Sequence, residues 1–377
     1  MRDAFLPYGV EPTKIGRQYT DPAEPFGRGL RPEQDHLLTG PLPEDELAAE
    51  TMNVWFYDGA RDTGFNIHAS VANGVMTAPV TVFLPDGRIL RIRTDEPDRF
   101  TDPREPHTKH VRYTCEAPFR KWRMRIDELP VWVTNAEELH RGAITREDPT
   151  TTVSLELEAE MMSPVYLQGA MLPEAADLIE GEPGLWFAAR VRSGLTPAAF
   201  RFDQMYRGTG HIRFEGQIYP FEGFGLRGHV RGVRQLSKMD GHTWLGGAFP
   251  SGMTFGIQTF PRPEGGFHFT EGYIYKNGIM YPNRVIYAPR MNYDPDEPEF
   301  TLELACDQLG LTRITGSDRR LFWWSMAAWG RNEPPRWGID PQSAMVMRQA
   351  VTRYECDGEI GYGMAERSGW RPGAGLP

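Results

Sequence analysis

The chain reads as one short strand after another. Over residues 152–161, Val153, Leu155, Leu157, Ala159 and Met161 alternate with Ser154, Glu156, Glu158 and Glu160. A period of two puts apolar side chains on one face of a strand and acids on the other. The same period recurs over 65–71, where Phe65, Ile67, Ala69 and Val71 alternate with Asn66, His68 and Ser70, and over 122–127, where Trp122, Met124 and Ile126 oppose Arg123, Arg125 and Asp127. Further strands are predicted at 53–57, 80–84, 88–92, 111–116, 186–192, 200–203, 211–219, 255–260, 285–287, 300–306, 311–315, 321–329 and 351–354. Asn277-Gly278, between apolar runs at 267–275 and 279–281, is a two-residue type I′ hairpin signature. Pro85-Asp86-Gly87 is a second turn, in which proline presets φ and glycine accepts its positive values. Only two short helices are predicted, at 43–50 and after the capping pattern Asn135-Ala136-Glu137-Glu138.

Composition supports the same class. The 40 glycines and 32 prolines interrupt the sequence too often for long helices, so a mostly β protein is expected. A length of 377 residues exceeds the usual single core. We therefore divide the chain into an irregular N-terminal arm (1–45) that drapes over the body, a first β domain (46–190) and a second (191–370), with the junction near 185–197 after a linker at 173–184. A net charge of -10 disfavours a nucleic-acid partner. Cys115, Cys306 and Cys356 are odd in number and dispersed, which suggests neither a disulfide framework nor a cysteine zinc site and fits a reducing, cytoplasmic location. No apolar run approaches the ~20 residues of a membrane span, so none is expected. Nothing here fixes the oligomeric state.

Candidate chemistry gathers between Gly223 and Tyr281. If 225–231 is extended, Arg227, His229 and Arg231 share one face and Leu226 and Val230 the other, and the basic run continues to Arg234. Such a face is either a solvated outer surface or the polar lumen of a small barrel, and the pattern does not choose. On 267–275, Glu271 lies among Phe267, Phe269, Tyr273 and Tyr275, where desolvation favours its protonated form. HExxH, paired-cysteine, GxSxG and phosphate-loop patterns are all missing, so neither a metal nor a cofactor is expected. Acid–base chemistry is what these residue types support. His229 and Glu271 are the candidate catalytic groups. Arg227, Arg231 and Arg234 are candidates to bind a carboxylate or enolate oxygen. Trp244, Tyr273, Tyr275 and Trp55 would supply apolar walls, with His68 as a further substrate contact. Packing or surface roles explain any one of them singly.

The segment Gly225-Leu226-Arg227-Gly228-His229-Val230-Arg231-Gly232-Val233-Arg234, with His242-Thr243-Trp244 and Glu271-Gly272-Tyr273, resembles the carotenoid hydratase (hydroxyneurosporene synthase-like) group and the related Diels-Alderases of fungal polyketide pathways. The resemblance implies two lipocalin-like antiparallel β-barrels or sandwiches with few helices. It also implies an enzyme of secondary metabolism, a lyase (hydratase), isomerase or cyclase, acting without a cofactor on a hydrophobic small molecule. The alternative is a lipocalin-like protein that binds such a metabolite without changing it. The group's motif reads Gly-x-Arg-Asp-His-Ser-Trp-Gly-x-Arg. This chain keeps Gly225, Arg227, His229, Gly232 and Arg234 but has Gly228, Val230 and Arg231 where Asp, Ser and Trp would stand. The absent Asp is the natural alkene-protonating acid, so another acid is needed.

Overall fold

The computed structural model describes residues 26–28, 30–37, 48–72, 75–92, 96–142, 149–167, 200–233, 240–262, 265–326, 336–339 and 345–370. The first sheet holds β1 (Ala48–Asp58), β2 (Thr63–Ala72), β3 (Val75–Thr77), β4 (Val80–Phe83), β5 (Ile89–Ile92), β6 (Asp98–Arg99), β7 (Val111–Ala117), β8 (Lys121–Thr134), β9 (Thr151–Met161), β10 (Tyr166–Leu167), β11 (Phe200–Phe214) and β12 (Gln217–Val233). The second holds β13 (Gly241–Ala248), β14 (Thr254–Pro261), β15 (Phe267–Lys276), β16 (Ile279–Tyr287), β17 (Glu299–Cys306), β18 (Gly310–Met326), β19 (Arg336–Trp337), β20 (Met345–Cys356) and β21 (Glu359–Trp370). Between β8 and β9 stands one short helix, α1 (Ala136–Arg141).

Both sheets close. The first runs β1-β12-β11-β9-β8-β5-β4-β2 and returns to β1, a barrel of 8 strands, while the second runs β17-β16-β15-β14-β13-β21-β20-β18 and returns to β17. These are two lipocalin-like barrels, and closure removes the exposed sheet edges that would otherwise invite aggregation. Every pairing within the rings is antiparallel.

Several sequence expectations are met where turn chemistry is strong. Asn277 and Gly278 both have positive φ, 53° and 82°, as a type I′ turn requires. Strand β9 alternates buried and exposed as its pattern predicts, with Glu156, Glu158 and Glu160 outside. Asn135 caps α1 by accepting from the Glu138 backbone at 2.9 Å. Other expectations fail for identifiable reasons. The predicted strand 211–219 is two strands, because Glu215-Gly216 (φ 49° and 74°) turns the chain back between β11 and β12. The predicted helix 43–50 begins outside the described residues, and its end, Ala48–Glu50, belongs to β1.

Residues 185–197 lie outside the described residues. Both β11 and β12, which follow them, pair with β9 and β1 of the first barrel. We propose that the division between the two units falls between Val233 and Gly241, where the chain passes from one sheet to the other. Of the arm, residues 30–37 pack against the body. Leu37 joins the first barrel's core, and the 3-10 turn Pro32–Asp35 delivers Asp35 to a buried position beside it.

The barrels meet wall to wall. Trp55, Tyr57, Met205, Phe224 and Leu226 of the first form one apolar cluster with Trp244, Ala248, Leu321, Phe322, Trp323, Val346 and Met364 of the second. Gly246 lets the walls approach, since a Cβ there would lie 2.2 Å from Leu226 Cδ1. Among the described residues, no helix is long and apolar enough to cross a membrane.

Candidate active site between the barrels

The register of β12 against β1 decides what each face of the basic strand does. Arg227 pairs with Val54, His229 with Met52 and Arg231 with Glu50. Val54 and Met52 belong to the first barrel's interior core, so the three cations point into that lumen. Each meets an acid there. Arg227 Nη2 lies 2.6 Å from Asp35, His229 Nε2 lies 2.7 Å from Glu50 Oε1, and Arg231 Nη1 lies 3.3 Å from Glu50 Oε2. Gln204 also accepts from Arg227. The lumen reading of this strand is therefore the correct one, and its cations are engaged in buried ion pairs.

The opposite face of the same strand, Gly228 and Val230, lines a cavity of about 70 Å³ between the two barrels. Thr51 and Asn53 (β1), His68 (β2) and Arg201 (β11) complete the first barrel's wall; His242 and Trp244 (β13), Trp324 (β18), Met347 and Gln349 (β20) and Glu366 (β21) form the second's. The side chains arrive there by strand parity: Gln349 pairs with Glu366 and Trp244 with Glu366, so these three share the outward face of their barrel.

Two carboxyl groups flank this cavity in contrasting surroundings. Glu366 accepts from Gln349 through Oε2, while its Oε1 lies 2.6 Å from His242 Nε2; His242 Nδ1 lies 2.8 Å from Ser368 Oγ. Burial alone would raise the Glu366 pKa, but the bond and charge of His242, aided by Gln349 and Arg201, hold it below the usual carboxylate range. Asp203 sits beneath the wall formed by Arg201, Trp244 and Gly228. Its Oδ2 accepts from Trp244 Nε1 at 2.8 Å and from Gln258 Nε2 at 2.9 Å, and its Oδ1 is 3.5 Å from Arg201 Nη2. Here burial outweighs those contacts and pushes the carboxyl above the usual range. The two acids thus stand in opposite electrostatic settings.

Gly228 matters sterically. A Cβ at this position would lie 2.9 Å from the Trp244 ring and 3.0 Å from Asp203 Oδ1. The missing side chain leaves Asp203, which pairs with Gly228 across the strands, adjacent to the cavity. A pH prediction follows for Asp203. Its folded-state pKa is above the unfolded one, so ionisation costs the folded state, and stability falls as pH rises above about 3.8. In Asp203→Asn that loss should be absent, so the variant gains on the wild type as pH is raised from about 3.8 through the folded-state pKa, in urea melts taken at stepped pH. A difference independent of pH would contradict the assignment.

The sequence-predicted residues separate into three places. Trp244 and His68 line the cavity, and Trp55 packs in the apolar cluster beside it. Arg227, His229 and Arg231 face away from it, and Arg234 lies outside the described residues. Glu271 and Tyr273 form a separate inter-barrel patch, where Tyr166 donates to Glu271 at 2.6 Å and stacks on Tyr273 with ring centres 4.7 Å apart; Tyr275 packs at its edge. The shared face expected for Phe267 and Glu271 is broken by a bulge at Phe260/Pro261, and Phe267 packs instead against the second barrel's core. Arg201, Asp203, Gln349 and Glu366 were not singled out from sequence, and His242 only as part of the resemblance.

The fold and cavity define a double β-barrel protein with a polar cavity at the inter-barrel seam. The chain belongs to the family described as "Domain of unknown function (DUF7064)", which matches residues 32–370. It is similar to several solved structures. One is a candidate AttH from Nitrosomonas europaea (12% identity, TM-score 0.49, 88% of this chain and 98% of that one). Another is CghA (10% identity, TM-score 0.49, 88% and 90%), and a third is kievitone hydratase from Nectria haematococca (10% identity, TM-score 0.43, 86% and 90%). A search of curated proteins gave no match.

Proposed function

We propose that this chain is an enzyme that moves protons on a hydrophobic small molecule held between its barrels, without a cofactor, in a hydration or dehydration, a double-bond isomerisation or a cyclisation. The observation that supports this reading best is the placement of two carboxyl groups, Glu366 in the cavity lining and Asp203 directly behind Gly228, in opposite electrostatic settings. Glu366, kept charged by His242, is the base. Asp203, whose protonated form burial favours, is the acid. Arg201 steadies negative charge that develops on the substrate between them. Trp244, Trp324, Met347 and Val230 supply the apolar contacts.

This arrangement also answers the gap at residue 228. Where the resembling group carries an Asp on β12, Asp203 brings a carboxyl to the same place from β11, one strand away. Solvent extraction and mass spectrometry of the purified protein test the reading. Two molecules related by one water, or a pair of isomers interconverted on incubation, support it. A single metabolite returned unchanged by fresh protein would establish a carrier instead.

A further inference from the structure

We infer that the molecule taken by the inter-barrel cavity carries a carboxylate-type oxyanion, and that Arg201 is the residue that binds it; this deepens the proposal above and rests on the same cavity being the site. Arg201 is the only arginine or lysine among the lining residues and is 7% exposed. Among the described residues its Nε has no hydrogen-bond partner, its ion pair is the long 3.5 Å approach of Nη2 to Asp203, and it acts on Glu366 through its charge without a hydrogen bond. Two other buried arginines hold their acids closer: Arg227 lies 2.6 Å from Asp35 and Arg348 2.9 Å from Asp318. A guanidinium offers five donors in a planar fork that matches two carboxylate oxygens, and leaving a buried charged donor unmet is costly.

The surroundings point the same way. The Arg201 guanidinium carbon lies 4.7 Å from the Trp244 ring centre, which braces the fork. The acid nearest to it in the lining, Glu366, is already engaged by His242 and Gln349. A ligand anion therefore finds a partly unanswered cation. At about 10–15 Å³ of probe-occupied volume for each water-sized group, the cavity has room for roughly five to seven such groups. That is the whole of a short carboxylic acid or the head of a longer one, with its carbon chain against Val230, Trp324 and Met347.

The test uses sodium crotonate and its neutral counterpart crotonamide as probes on ¹⁵N-labelled full-length protein. The arginine Nε–H resonance that vanishes in Arg201→Lys reports the site. Crotonate should move this resonance and bind at least about tenfold more tightly than crotonamide. Arg201→Met should lose that preference while melting as a folded protein; were it to fail to fold, Arg201→Lys should still weaken crotonate relative to crotonamide. Equal binding of the two probes, no binding of crotonate at millimolar concentration, or an undiminished preference in the Arg201 variants would overturn the inference. The two readings separate in Glu366→Gln. If that variant turns over normally while crotonate is still preferred at Arg201, the proton-transfer proposal fails alone. If it is inactive but crotonate is not preferred, the anion inference fails alone.

Discussion

Glu366→Gln is expected to lower turnover by about 100-fold to 10,000-fold, the range over which a general acid or base contributes. Glutamine keeps the length of the side chain and an oxygen that can still meet His242, so the wall of the cavity should hold its shape. What it removes is the charge that His242 and Gln349 stabilise and the ability to accept a proton. The loss should therefore fall on kcat more than on KM. Glu156→Gln, on the exposed face of β9, is the control and should change nothing. His229→Asn and Glu271→Gln, whose side chains lie away from the cavity, should affect stability before turnover. Steady-state kinetics on the substrate identified by extraction checks all four.

The second large effect is on stability. Asp35→Ala should destabilise the protein by about 3–5 kcal/mol, the usual cost of stripping one partner from a buried ion pair. Arg227 would be left charged in the lumen, and the Phe119 amide and Trp122 indole, which donate to Asp35 at 2.6 and 2.8 Å, would lose their acceptor. Replacing both partners, as in Asp35→Ala with Arg227→Met, should cost clearly less than the two single changes added together, because no uncompensated charge remains. Urea melts of the two single variants and the double variant measure this coupling. Additive losses would mean that the arm and the lumen are energetically independent.

The contrast between what could and could not be read from the sequence has physical causes. Strands whose polar face meets water, such as β9, show a clean alternation, and turns that demand positive φ, such as Asn277-Gly278, declare themselves by residue type. The site lies where both signals fade. Each strand lining the seam is buried on both faces, lumen on one side and partner barrel on the other, so polar and apolar positions no longer mark inside and outside. Arg227 and Arg231 drew notice because they cluster, but clustering on one face is what a charged lumen requires too. Gly228 and Val230, on the opposite face, bring no polar group that would mark a site. The strand that carries Glu366 went unrecognised because Gly361 and Gly363 dilute its pattern. Asp357-Gly358, with φ of 51° and 80°, turns the chain from β20 into that strand. Asp203 could be connected with Gly228 only through strand register, and register depended on a Glu215-Gly216 turn that the sequence reading passed through.

The location of the ligand is the most direct test of this account. A crystal structure of Glu366→Gln soaked with the molecule identified by extraction should show that molecule between Arg201, Trp244 and residue 366, with an oxygen on the Arg201 guanidinium and its carbon skeleton against Val230 and Met347. Density for the molecule inside the first barrel, beside Arg227 and His229, or against Tyr166 and Glu271, with the inter-barrel cavity unchanged, would contradict it.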